Sequence, residues 1–82
     1  MPVVLRIKGY RFGFYEADLD EPPHVHVKQG NGEAKFWLVP VALAKSRGFH
    51  EHELNEIAKL VDEYRVAILQ AWNTEEAKRG NR

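Results

Sequence analysis

Apolar and polar residues alternate with a period of two over several short stretches in the first half of the chain, and glycines and prolines break the alternation. Val3, Leu5 and Ile7 interleave with Val4, Arg6 and Lys8, and Gly9 follows; Tyr10, Phe12 and Phe14 interleave with Arg11, Gly13 and Tyr15. A strand sends successive side chains to opposite faces, so these two runs predict a hairpin turning at Gly9. Glu16 to Pro23 is acidic, aperiodic and closed by two prolines, which predicts a loop. His24 to Lys28 is a third strand, Gln29-Gly30-Asn31-Gly32 a turn suited to positive φ, and Glu33 to Val39 a fourth strand. After Pro40, Val41-Ala42-Leu43-Ala44 fits a fifth strand or one helical turn, with the strand preferred, and Ser46-Arg47-Gly48 ends it.

From Glu51 the period changes to that of a helix. Leu54, Ile57, Val61, Tyr64, Ile68 and Trp72 step by three or four, Ala58, Leu60, Ala67 and Ala71 widen the stripe, and no Gly or Pro intervenes before Gly80. Glu51, Glu53 and Glu56 lie where the helix dipole favours anions, and Lys78 and Arg79 where it favours cations. The pattern therefore predicts one α+β domain over residues 1–82. An antiparallel sheet of four to five strands lies within 2–45, and one long C-terminal helix, about 51–77, packs on one face and leads into a basic tail of Lys78, Arg79 and Arg82.

The 82 residues have room for one core, and the absence of cysteine excludes disulfides, iron–sulfur clusters and thiolate zinc sites. No apolar run approaches the roughly 20 residues needed to span a bilayer, and Met1 to Arg6 is too short for a signal peptide, so the expected place is the cytoplasm, without a membrane partner. Net charge is zero, which removes any global basic field. The distribution is uneven. Arg6, Lys8, Arg11, Lys28, Lys35, Lys45 and Arg47 outnumber the acids of the strand region, whereas Glu51 to Glu76 is strongly acidic.

Candidate chemistry concentrates in Pro22-Pro23-His24-Val25-His26-Val27-Lys28. With Val25 and Val27 turned to the helix, His24, His26 and Lys28 share the other face, the imidazoles spaced roughly 6.6 Å along the strand. Arg6, Lys8, Arg11, Tyr15, Lys35 and Trp37 fall on the same face, and cations interleaved with rings suit phosphates and unstacked bases. Such residues are also ordinary on the watered face of an antiparallel sheet. The histidines have three readings: an acid–base pair for RNA transesterification by the 2′-hydroxyl, with Arg11, Lys28 or Lys35 stabilising the charge on phosphorus; two corners of a zinc site completed by Asp18, Asp20 or Glu21; or structural hydrogen bonding. The assignment carried forward makes His24 and His26 the catalytic candidates and Arg11, Lys28, Lys35 and Trp37 the substrate contacts, with no metal and no cofactor. His50 and His52 stand at a helix start, where residues two apart do not face each other; His50 is the expected N-cap, with Glu53 completing half a capping box.

Met1-Pro2-Val3-Val4-Leu5-Arg6-Ile7, Glu21-Pro22-Pro23-His24-Val25-His26-Val27, Glu33-Ala34-Lys35-Phe36-Trp37-Leu38, Arg47-Gly48-Phe49 and Glu53-Leu54-Asn55-Glu56-Ile57 together resemble the small prokaryotic family catalogued as domain of unknown function 4160 (DUF4160). Pro-Pro-His-x-His-Val is its most specific motif. Val39 stands where relatives often have Asp, and His50 where they often have Ser; neither departure touches the His pair. The resemblance implies a stand-alone cytosolic protein of a kind proposed for two-gene toxin–antitoxin-like modules. The expected function is thus a toxin-like component acting on RNA, a metal-independent ribonuclease if an enzyme; the competing class is a non-enzymatic module binding a small antitoxin-like protein. A homodimer or a partner covering the helix acids is expected in either case.

Overall fold

The computed structural model describes residues 1–80 of the chain, so Arg82 of the expected basic tail lies outside the described residues. Five strands, β1 (Val3–Ile7), β2 (Tyr10–Gly13), β3 (His24–Gln29), β4 (Gly32–Leu38) and β5 (Val41–Arg47), form one antiparallel sheet in sequence order. Its tight turns follow the local chemistry. Lys8 and Gly9 both have positive φ between β1 and β2, as a two-residue turn matching strand twist requires. Gly30 supplies the positive φ between β3 and β4, and Val39-Pro40, a cis peptide, joins β4 to β5. β5 runs through Ser46 and Arg47, further than their turn-like composition suggested, and ends at Gly48 with φ +74°. The acidic segment before the prolines is not plain loop: Glu16–Asp20 forms a 3-10 helix in which Leu19 is buried.

The apolar faces of the strands meet the helical layer as the periodicity requires. Phe12, Val25, Val27, Ala34, Phe36 and Leu38 pack with Ile57, Leu60, Val61 and Ile68 in the main core. A bulge in β1 between Val3 and Leu5 puts Val3 opposite Gly13, out of phase with Leu5, so Val3 is exposed instead of lying under the helices. A second irregularity, between Lys35 and Phe36 on β4, leaves Ala44 of β5 unpaired in the register.

The expected C-terminal helix is present but interrupted at one residue. α1 (Glu51–Glu63) and α2 (Arg65–Gly80) meet at Tyr64, whose φ of −100° and ψ of 13° depart from helical values. The ladder continues across the interruption: Tyr64 N–H donates to the Leu60 carbonyl at 2.9 Å and Ile68 N–H to the Tyr64 carbonyl at 3.0 Å. No proline or glycine marks the position. α1 lies against β4 and β5, and α2 reaches β1 and the 3-10 helix, where Arg79 pairs with Asp20. There Trp72 packs with Phe14 and Leu19, flanked by Val4 and Ala71, in a smaller cluster at the sheet's end. His50 N–H donates to Glu53 Oε1 at 2.8 Å, the half capping box expected at the start of α1. Among the described residues no helix is long and apolar enough to cross a membrane.

Candidate functional site

Strand pairing places the sequence-derived candidates in adjacent rows. His24 lies opposite Trp37; His26 opposite Lys35 on one side and Gly13 on the other; Lys28 opposite Arg11 and Glu33. All of these belong to the face away from Val25 and Val27, so the period-two reading of that segment carries into the sheet. β5 widens the row: Lys45 pairs with Lys35, and Arg47 with Glu33.

The two histidines do not share one environment, although both were expected to project from an open face. His26 is half-buried, whereas His24 is fully buried. β2 ends at Gly13, the partner of His26, so no β2 residue flanks His24. α2 brings Trp72 to that end of the sheet, with its ring centroid 5.3 Å from that of His24, and Trp37 packs from β4 at 5.6 Å. His24 is therefore held between two indoles. Burial removes it from direct contact with a dissolved substrate, which corrects the picture of two equivalent surface imidazoles.

Asp18, in the 3-10 helix, joins the pair. His26 Nε2 lies 3.0 Å from Asp18 Oδ2, and His24 Nε2 lies 3.4 Å from Asp18 Oδ1. The carboxylate is itself fixed by Tyr15 N–H, which donates to Oδ2 at 2.7 Å. Pro22 explains the other side of His24: its carbonyl, which can only accept, takes a hydrogen bond from Nδ1 at 3.0 Å. The Nε2 of His24 then has no hydrogen-bond partner among the described residues. Burial pushes the Asp18 carboxyl up, but the Tyr15 N–H and the two imidazoles pull it further down, leaving it below its ordinary range. Burial also pushes His26 down, and the neighbouring Asp18 carboxylate only partly opposes this. The donor atoms of Asp18, His24 and His26 all lie within 4.8 Å of one another, and that trio is the set able to hold a cation.

The cationic candidates are unequally available. Lys35 is tied to Glu21 at 2.8 Å and lies over the Trp37 ring, 4.6 Å from its centroid. Lys28 donates to the Tyr15 hydroxyl at 3.2 Å, and Arg47 pairs with Glu33 at 3.1 Å. Arg11 and Lys45 make no ion pair among the described residues, and both are exposed. A hollow of about 280 Å³ opens between β4 and β5, lined by His26, Glu33, Lys35, Lys45 and Arg47 among others. Sequence reasoning omitted Lys45 and Arg47 because β5 had no secure register. It named Asp18 only as one of three acids able to complete a metal site, and it missed Trp72 as a cover for His24; only the 18–24–26 clustering of acid and imidazole in the sequence hinted at the trio.

A family model described as domain of unknown function (DUF4160) matches residues 9–73. That span includes the Asp18, His24 and His26 trio and Trp72. No curated protein matches the chain, and no solved structure does.

Proposed function

This chain belongs to the DUF4160 family, and we propose that it binds single-stranded RNA on its open sheet face and acts on it as the toxin-like component of a prokaryotic toxin–antitoxin pair. The observation that carries this reading is the hollow in which His26 stands beside Lys35, Lys45 and Arg47. Anionic phosphates are the ligands such a row attracts, and Trp37 and Tyr15 offer rings at its margin for bases. Arg11 and Lys28 extend the row along the strands. His26 is the histidine placed to meet a substrate; His24 supports it from within, its ring 5.1 Å from that of His26.

Titration of labelled single-stranded RNA with the full chain at two salt concentrations tests the binding. Occupation of three to five phosphate contacts gives a log–log salt slope of about −2 to −3.5. Arg11→Ala and Lys45→Ala should each reduce that slope by about 0.7. No binding at low salt by folded protein, or binding indifferent to salt, would exclude the reading.

One observation favours a second reading, a non-enzymatic module. β5 is an edge strand whose residues from Ala42 to Arg47 are exposed, including Leu43, and an edge offers unpaired backbone groups to an added strand. Purification from the native host separates the two: co-elution of RNA supports the first reading, and co-elution of a small protein without RNA the second.

A further inference from the structure

We propose that Asp18, His24 and His26 form a binding site for one divalent first-row transition cation, with an open coordination position facing the hollow between β4 and β5. The inference goes beyond RNA binding and does not depend on it.

The tautomer of His24 carries most of the argument. Its Nδ1–H is committed to the Pro22 carbonyl, so Nε2 presents a lone pair to the cluster. That atom is buried, lacks a hydrogen-bond partner among the described residues, and faces Asp18 Oδ1 at 3.4 Å. A buried imidazole lone pair facing a carboxylate oxygen is unfavourable unless a proton or a cation lies between them. A ring nitrogen donating to a backbone carbonyl while its partner nitrogen is left to ligate is the arrangement that outer-shell groups impose on metal-bound histidines. Trp37 and Trp72 fix the ring plane, and Tyr15 N–H fixes the carboxylate, so the donors are held before any ion arrives.

Spacing and donor type agree with this. In a tetrahedral zinc site with bonds near 2.0 to 2.1 Å, neighbouring ligand atoms stand roughly 3.3 Å apart. His26 Nε2 stands 3.0 Å from Oδ2 and His24 Nε2 3.4 Å from Oδ1, one imidazole against each carboxylate oxygen, and one donor atom from each of the three residues lies within 4.8 Å of the others. Two imidazoles and one carboxylate suit zinc, manganese or iron(II), and cysteine, which would select thiolate chemistry, is absent from the chain. Three protein ligands leave a position vacant in a four-coordinate site, as in catalytic zinc centres. His26 is the ligand that borders the hollow, so the vacant position admits water or a phosphate oxygen from the side where Lys35, Lys45 and Arg47 stand. The other histidine pair is a poor competitor: His50 and His52 are exposed, their rings stack at 5.7 Å with planes 6° apart, and among the described residues no third ligand completes a group with them.

Isothermal titration of the chelator-treated full chain with zinc tests the site, with cobalt as a spectroscopic substitute. The expected results are one zinc per chain, a first shell of nitrogen and oxygen at about 2.0 to 2.2 Å by X-ray absorption, and thermal stabilisation by zinc. Asp18→Asn and His26→Gln, which spare the buried His24, should each weaken zinc at least about 100-fold, the upper end of what losing an outer-shell partner costs. The double variant His50→Ala, His52→Ala should bind as the parent does. The proposal is overturned if folded protein fails to bind zinc stoichiometrically, or if Asp18→Asn and His26→Gln bind as tightly as the parent. Zinc binding without RNA binding would remove the proposed function and leave the site standing; RNA binding without zinc binding would do the reverse.

Discussion

The two ends of the helical layer are built on different rules. Under α1, Ile57 and Val61 meet Val25, Val27 and Phe36, and every side chain in the contact is apolar. Under α2, Trp72 meets Phe14 and Leu19, but its other neighbour is His24, the one buried polar or charged side chain among the described residues. A core made for stability alone has no use for an imidazole with an unpartnered nitrogen, since such a group costs on the order of 1 to 3 kcal/mol when it replaces a satisfied or apolar one. The contrast sets a wholly apolar packing under α1 against a buried imidazole with an unpartnered nitrogen beside α2.

Truncating each end in turn tests this division with the largest expected effects. Trp72→Ala should lose about 3 to 5 kcal/mol and Ile57→Ala about 2 to 5 kcal/mol in urea unfolding, because both are fully buried. A loss for Trp72→Ala no greater than for a change at exposed Val66 would dissolve the second cluster as part of the core. The comparison sharpens when RNA cleavage is measured alongside, since Ile57→Ala should leave activity per folded molecule unchanged and Trp72→Ala should reduce it by unfixing His24.

His26→Ala should cost about 1.5 to 3 kcal/mol, the order expected for a hydrogen bond to a charged group, while abolishing RNA cleavage. Activity that falls only in proportion to the unfolded fraction would make the pair structural. His24→Leu is expected to change stability by less than about 1.5 kcal/mol in metal-free protein, since it removes the orphan nitrogen at similar volume. Val61→His, its counterpart on α1, should cost more than about 2 kcal/mol by importing an unsatisfied polar group into the apolar core. Equal costs for the two swaps would erase the difference between the ends.

The smallest effect concerns acid. The Arg47 guanidinium, hydrogen-bonded at 3.1 Å, holds the Glu33 carboxyl below its ordinary range. A carboxyl depressed on folding contributes stability at pH values above its unfolded pKa, and that contribution is lost as pH falls through the lower folded value. Glu33→Gln should therefore remove that contribution, lowering stability slightly at neutral pH and leaving it unchanged well below about pH 4.3, which flattens the acid limb of the stability curve. An unaltered acid limb would show that the pair at the rim of the hollow is too exposed to matter.

Much of this was legible in the chain because its physics is local. Alternation of Val25 and Val27 with His24, His26 and Lys28 sets the faces of β3, since strand geometry alone sends neighbours to opposite sides. Glycines at 9 and 30 announce their turns by the positive φ they adopt, and the stripe from Leu54 to Trp72 announces a helix that must cover something apolar. The decisive features of the site are non-local. Where β2 stops relative to β3 decides that His24 is unflanked, and the docking of α2 against the 3-10 helix decides that Trp72 covers the gap. The 3-10 helix brings Asp18 back to residues six and eight further along, a distance no periodicity encodes. Sequence alone determined which residues of β3 share a face; only the tertiary structure decided which of them is buried, because burial depends on what the rest of the chain places above each residue.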